Sequence, residues 1–182
     1  FVRGWTLVAV GALPPGLLEK AASFLAEATS LPVSIYPDML DPHSSYDPRR
    51  AQFDCRRLLP PLERVATDSN TLVLGLADVD LYSAIFTFVF GEARLHGPAG
   101  VVSVHRLRPA LYGLPDDPDL LEARMRREVL HEAGHLLGLV HCADPECVMH
   151  FSAVAEEIDL KKDAFCVDCL DTLAGNCVDR RS

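Results

Sequence analysis

Histidines at positions 131, 135 and 141, with Glu132 beside the first and Gly138 between the second and third, constrain this chain more than any other feature. In a helix, His131 and His135 lie four residues apart, about 40° apart around the axis and about one turn apart along it, so two imidazoles can grip one ion. Glu132 adjoins that pair and can reach a metal-bound water without entering the coordination shell, as a general base there must. His141 does not fit a continued helix, which would carry it about 9 Å beyond His135 and turn it roughly 120° away. Gly138 removes the obstacle, because glycine tolerates the left-handed conformation that ends a helix and lets the chain double back. The expectation is a helix that stops near Gly138 and a three-histidine zinc site whose remaining position is open to water and substrate.

Upstream, strand and helix signals alternate. Residues 5–13 form a β-rich run that lacks a clean small-residue cleavage site, and so read as a first strand and not as a signal peptide. A helical pattern follows over 15–28, then a strand over 32–37, a polar loop around 43–47 and a helical stretch over 48–65 disturbed by Pro60 and Pro61. The unalternating run 71–77 reads as a buried strand. Two more strands are expected at 85–93 and 99–107, and their short connection allows only an antiparallel pairing between neighbours. Asp117-Pro118-Asp119 suits the start of the histidine-bearing helix. The expected class is α/β: a mixed, mostly parallel sheet with an antiparallel edge strand, an active-site helix and a small C-terminal four-cysteine zinc subdomain.

A chain of 182 residues supports one main domain with a small appendage, here 1–141 and 142–182, with Met149 in the second part. A net charge of -9 argues against nucleic acid and anionic membrane as partners, since binding to either is driven by Lys and Arg. No apolar run approaches the roughly 18 residues of a transmembrane helix. Four of the six cysteines crowd into the last quarter: Cys142 and Cys147 with four residues between them, Cys166 and Cys169 with two, and 18 between the pairs. Four thiolates at such spacing make a closed tetrahedral zinc site that stabilises without catalysing. A redox CxxC pair fits less well, because it should open a helix after a strand in its own domain. Cys142 adjoins His141, so a zinc knot there would restrain the histidine. Cys55 and Cys177 have no partner in the pattern and read as reduced thiols, which points to a reducing cytoplasm.

HEAGHLLGLVHCADPECVMHFS, together with FCVDCLDTL, resembles the archaemetzincins, zinc metallopeptidases of the metzincin clan, and the likeness extends upstream through residues 74–108. The resemblance implies a compact metzincin-like domain with His131, His135 and His141 on a catalytic zinc, Glu132 as general base, and Cys142, Cys147, Cys166 and Cys169 on a structural zinc. It also implies that Met149 is the Met-turn residue under the metal, and that the strand carrying Phe86, Phe88 and Phe90 lines the cleft and pairs with an extended peptide. His150 departs from the asparagine expected beside the Met-turn.

The expected function is hydrolysis of peptide bonds by a zinc-activated water with Glu132 as base, on a peptide or protein substrate, by a cytoplasmic monomer holding two zinc ions. The alternatives are a zinc-stabilised peptide- or protein-binding module with little turnover, against which the intact Glu132 speaks, and a zinc-ribbon nucleic-acid binder, which the acidic charge disfavours. Tyr112 is the nearest tyrosine in sequence that could serve an oxyanion. Asp78, Asp80 and Glu92 fit either a cleft lining or a solvated acidic face, and His43, His96, His105 and His150 lack ligand spacing and read as solvated or locally hydrogen-bonded.

Overall fold

The computed structural model of the protein describes residues 2–66 and 68–179, with side chains as far as residue 175, which leaves the Cys177 thiol outside the described set. The first apolar run makes β1 (Gly4–Val10), which lacks polar alternation because both its faces are covered. Trp5 and Leu7 enter one core, Val8 and Val10 another. Helix α1 (Leu17–Thr29) lies on the first face through Leu17, Ala21 and Leu25, and leads to β2 (Val33–Ile35), parallel to β1.

The stretch 48–65 departs from the expected helix. Its first part joins a small sheet, β3 (Tyr46–Asp47) and β4 (Gln52–Asp54), paired antiparallel. The helix α2 starts only at Cys55 and runs to Glu63, because Asp54 caps it by accepting the Arg56 N–H. Pro60 and Pro61 sit inside it, and Leu58, Leu59 and Leu62 pack onto the second face of the main sheet.

The buried run forms β5 (Thr71–Ala77), parallel to β1. After β6 (Leu81–Ser83) comes the largest departure from expectation, since residues 85–93 serve two sheets instead of one strand. β7 (Phe86–Val89) pairs antiparallel with β6, while β8 (Gly91–Ala93) pairs antiparallel with β9 (Ala99–Ser103). The buried Phe90 is the pivot, its carbonyl accepting the Ser103 N–H at 2.7 Å. The strand-favouring residues of 85–93 run on without a proline or a turn pair to mark a change of partner, which is why the sequence reads as one strand. The main sheet has the order β2-β1-β5-β9-β8 and is parallel except for the β8 edge; the small sheet has the order β3-β4-β6-β7. The expected antiparallel edge strand is therefore present, but only over Gly91–Ala93. β9 ends at Ser103, and His105–Leu107 form a short 3-10 turn.

Helix α3 (Pro118–Leu136) covers the first face beside α1, contributing Met125, Val129 and Ala133. Beyond it come α4 (Ala155–Asp159) and α5 (Val167–Asp179). Ala155 and Ile158 of α4 enter the main core, and the buried Arg124 of α3 ties α4 down with bonds of 2.8 and 2.6 Å to the Asp159 carboxylate and one of 2.9 Å to Leu107 O. A third core joins Phe24 and Leu130 to Cys147, Val148, Met149 and Cys169. Among the described residues, no helix is long and apolar enough to cross a membrane.

Candidate active site

Asp117 starts α3 by accepting the N–H groups of Asp119 and Leu120, and Pro118 occupies a position whose N–H would have no partner. The helix ends as the glycine predicts. Gly138 has φ +101° and gives its N–H to His135 O, and Leu139 gives its N–H to Gly134 O, the paired closing bonds of a Schellman turn. The reversed chain then delivers His141 to the other two histidines, and candidate ligand atoms of all three lie within 4.8 Å of one another.

Backbone carbonyls orient the rings. His131 Nδ1 stands 2.8 Å from Val148 O, and His135 Nδ1 stands 2.8 Å from Leu139 O. A carbonyl only accepts, so each Nδ1 carries the proton and each Nε2 presents a lone pair. The two Nε2 atoms are 3.2 Å apart. Lone pairs at that separation repel unless a cation lies between them, and nitrogens around a tetrahedral zinc would be about 3.3–3.4 Å apart. Burial lowers the pKa of His131 well below the usual histidine value, helped by the Lys161 and His135 charges, and burial is also the leading cause of the lowered values at His135 and His141. All three are thereby held in the neutral form that ligates metal.

Glu132 is 5% exposed, and its Oε2 has no hydrogen-bond partner among the described residues. Burial raises its pKa well above the usual carboxylate range, nearby Glu128 and Glu92 push the same way, and Lys161 opposes them. An orphaned carboxylate oxygen in a buried site is costly, and a water beside the histidine Nε2 atoms would satisfy it. These groups open onto a cleft of about 570 Å³. Phe86 and Phe88 of β7 and the segment from Phe151 to Ala153 are among the residues that line it. The Phe86 and Phe151 ring centres are 6.3 Å apart, and Phe151 also packs edge-on to His141 at 5.4 Å.

The second cluster lies next to the first. Cys142 and Cys166 have their sulfurs 3.7 Å apart, Cys147 and Cys169 theirs 3.8 Å apart, and candidate ligand atoms of all four lie within 4.8 Å. A disulfide needs about 2.05 Å, whereas sulfurs around a tetrahedral zinc would be about 3.8 Å apart. The N–H groups of Met149 and Cys166 point at Cys147 Sγ, from 3.5 and 3.4 Å. The donor sets at both clusters fit zinc.

The other sequence-derived candidates fall into place as follows. Met149 is fully buried against α3 at Gly134, where an added Cβ would lie only 2.3 Å from its sulfur and would require the methionine side chain to shift. Phe86, Phe88 and Phe90 all line the cleft, although Phe90 is itself 5% exposed and belongs to the main core. Glu92 lines the cleft and accepts the Cys55 S–H at 2.7 Å. Asp78 and Asp80 are instead paired, with Arg108 and Arg106. Tyr112 is not an oxyanion partner, because its hydroxyl donates to Arg106 O and it takes no part in lining the cleft. His150 Nδ1 lies 2.9 Å from Cys142 O, and His43 bonds the exposed Asp41, as local roles require. Sequence reading missed Glu128, Phe151 and Lys161, all lining the cleft. Glu128 does carry a trace, a carboxylate one turn before Glu132 on the same helix.

Residues 22–175 match the profile of a family described as Peptidase family M54. The chain is 42% identical over 139 residues to the archaemetzincin of Methanocaldococcus jannaschii, covering 76% of this chain and 75% of that one. Its fold is similar to a zinc-dependent peptidase from Methanocorpusculum labreanum, with a TM-score of 0.84, 30% identity and coverage of 93% of this chain and 100% of the other. It is also similar to the archaemetzincin of Methanopyrus kandleri, with a TM-score of 0.82, 36% identity and coverage of 97% and 96%.

Proposed function

The chain belongs to peptidase family M54, and from that premise we propose that it is a zinc metallopeptidase that cleaves peptide bonds in the cleft between β7 and α3, with His131, His135 and His141 as ligands of the working metal and Glu132 as general base. The observation that carries this reading is the convergence of three histidines on one open wall, with the unpartnered Glu132 Oε2 beside them. A zinc ion held there supplies a Lewis acid for the substrate carbonyl and makes water acidic enough to be deprotonated near neutral pH. With the metal bound, Glu132 would accept the proton of the attacking water and return it to the leaving amine. Its buried position in the cleft wall, with Oε2 unpartnered, suits a group that must both accept and donate a proton.

Phe86 and Phe88 form the apolar rim against which an extended peptide would lie, and β7, at the end of its sheet, offers main-chain groups for pairing. We assign a second, structural zinc to Cys142, Cys147, Cys166 and Cys169, and Met149 to the floor under the histidines. Residues 142–182 are read as a subdomain built around that second ion. We further infer a cytoplasmic monomer acting on peptide or protein substrates, without nucleic-acid or membrane partners; the free cysteines among the described residues and the net charge of -9 support this reading.

The test is a peptide library incubated with zinc-loaded protein. Cleavage that disappears with a chelator and in Glu132→Ala supports the reading. Peptides that bind but stay intact would make the protein a binding module instead.

A further inference from the structure

A buried charged pair stands behind the histidine site and has no part in the proposed chemistry. Glu128, on α3, is 4% exposed, and Lys161, just after α4, is 3% exposed, so neither is placed to meet a substrate. Lys161 Nζ lies 3.6 Å from Glu128 Oε1 and gives an N–H to Val148 O at 3.4 Å. The same carbonyl takes the His131 Nδ1 proton at 2.8 Å. Backbone bonds bring these groups together: Lys162 N–H reaches Glu146 O at 2.8 Å and Val148 N–H reaches Ala164 O at 3.2 Å. The chain carrying Lys161 is thus laid beside the chain carrying Val148, and the ammonium crosses from there to α3.

Stability alone gives no account of the pair, because two well-packed apolar side chains in the same space would serve the fold as well or better. The shared carbonyl does give one. A carbonyl oxygen has two lone pairs, and here one serves His131 and the other the ammonium, so the Val148 peptide is held in the orientation that aims it at the imidazole. A ligating histidine depends on such a partner for its tautomer and the angle of its ring. An ammonium by itself behind His131 would also oppose a divalent cation in front of it, and the Glu128 carboxylate balances that charge.

We propose that Lys161 and Glu128 are positioning residues for the histidine metal site, the ammonium fixing the Val148 carbonyl that orients His131 and the carboxylate cancelling the positive charge that this puts behind the ligand. This rests on the assignment of His131, His135 and His141 to the working metal.

The test measures zinc affinity at the histidine site by competition with a chromophoric chelator, on the full chain with its cysteine zinc retained and confirmed by elemental analysis. The double variant Glu128→Leu with Lys161→Met removes both charges and should fold with a melting temperature near wild type. Its histidine site should bind zinc about tenfold to a hundredfold more weakly, the cost typical of losing a partner that orients a ligand, while the cysteine zinc stays. Glu128→Gln keeps the shape of the side chain and leaves the ammonium unbalanced, and should weaken zinc in the same range. Lys162→Met, which removes the exposed neighbouring ammonium, should change nothing. Cobalt placed in the histidine site should show an altered visible spectrum in the double variant and an unaltered one in Lys162→Met. Wild-type affinity in the double variant overturns the proposal, and so does a weakening that comes with equal loss of the cysteine zinc and a lower melting temperature, which would make the pair a support of the fold alone. If the double variant does not fold, Glu128→Gln decides by the same criteria. A wild-type protein whose histidines take up no zinc would overturn the metal-site reading itself, and this inference with it.

Discussion

The histidine and cysteine clusters share the peptide bond between His141 and Cys142, and both bring their candidate ligand atoms within 4.8 Å of one another, yet their surroundings differ. The histidines grade from buried to exposed as they approach the cleft, with an unpartnered carboxylate beside them. The cysteines stand in two close pairs, with backbone N–H groups directed at Cys147 Sγ and the buried Val148, Met149 and Leu130 packed around them. Ligand spacing therefore decides that an ion can be held. What surrounds the ligands decides whether that ion is offered to a substrate or locked into the fold.

The largest effect should come from taking away one ion at a time. Mild chelation should remove the histidine-held zinc first, since that site is open, and elemental analysis should fall from near two ions per chain to near one with peptidase activity abolished and the melting temperature almost unchanged. Simultaneous release of both ions would erase the distinction between the clusters. Next in size, Glu132→Ala should keep both metals and lower the hydrolysis rate by ~100-fold to ~10,000-fold, because the base is not a ligand. Wild-type turnover in that variant would remove Glu132 from the mechanism.

Cys166→Ser probes the seam between the two regions. The loss of one thiolate should release the tight zinc and loosen the chain from Cys142, whose N–H bonds Met149 O at 3.0 Å, and so blur the placement of His141. Misplacement by about 1 Å can cost on the order of a hundredfold in rate. Loss of the tight ion with histidine-site affinity and rate both intact would show the clusters to be mechanically independent. The smallest effect is expected from Gly134→Ala, whose new Cβ would press on the Met149 sulfur. Overpacking there should cost about 1–3 kcal/mol, offset in part by roughly 1 kcal/mol of helix propensity, and show as a melting point lower by a few degrees. A higher melting point would mean that Met149 moves aside freely and does not brace the helix.

The parts of this molecule that could be read from its sequence are those built by local geometry. His131 and His135 share a helix face whatever the rest of the chain does, and a glycine at 138 closes α3 with a Schellman turn because a left-handed residue is needed there. The apolar runs at β1 and β5 announce a sheet covered on both faces, since no polar residue alternates in them. The division of residues 85–93 between two sheets was not legible, because strand partners lie far away in the chain and the run looks the same whichever edge it joins. Nor was the true end of the polar loop at Asp54, where one side chain's cap overrode a plausible helical pattern.

Sequence by itself determined which residues could hold metal, and the spacing that lets them do so, because coordination depends on short-range distances along a helix and across one turn. Only the tertiary structure decided that Tyr112 bonds Arg106 away from the cleft, that Phe151 and Lys161 return to it from beyond the Met149 turn, and that Lys161 meets Glu128 beside the first histidine. Glu128 and Lys161 stand 33 residues apart, and no local rule encodes a contact whose partners are brought together by the burial of a shared core.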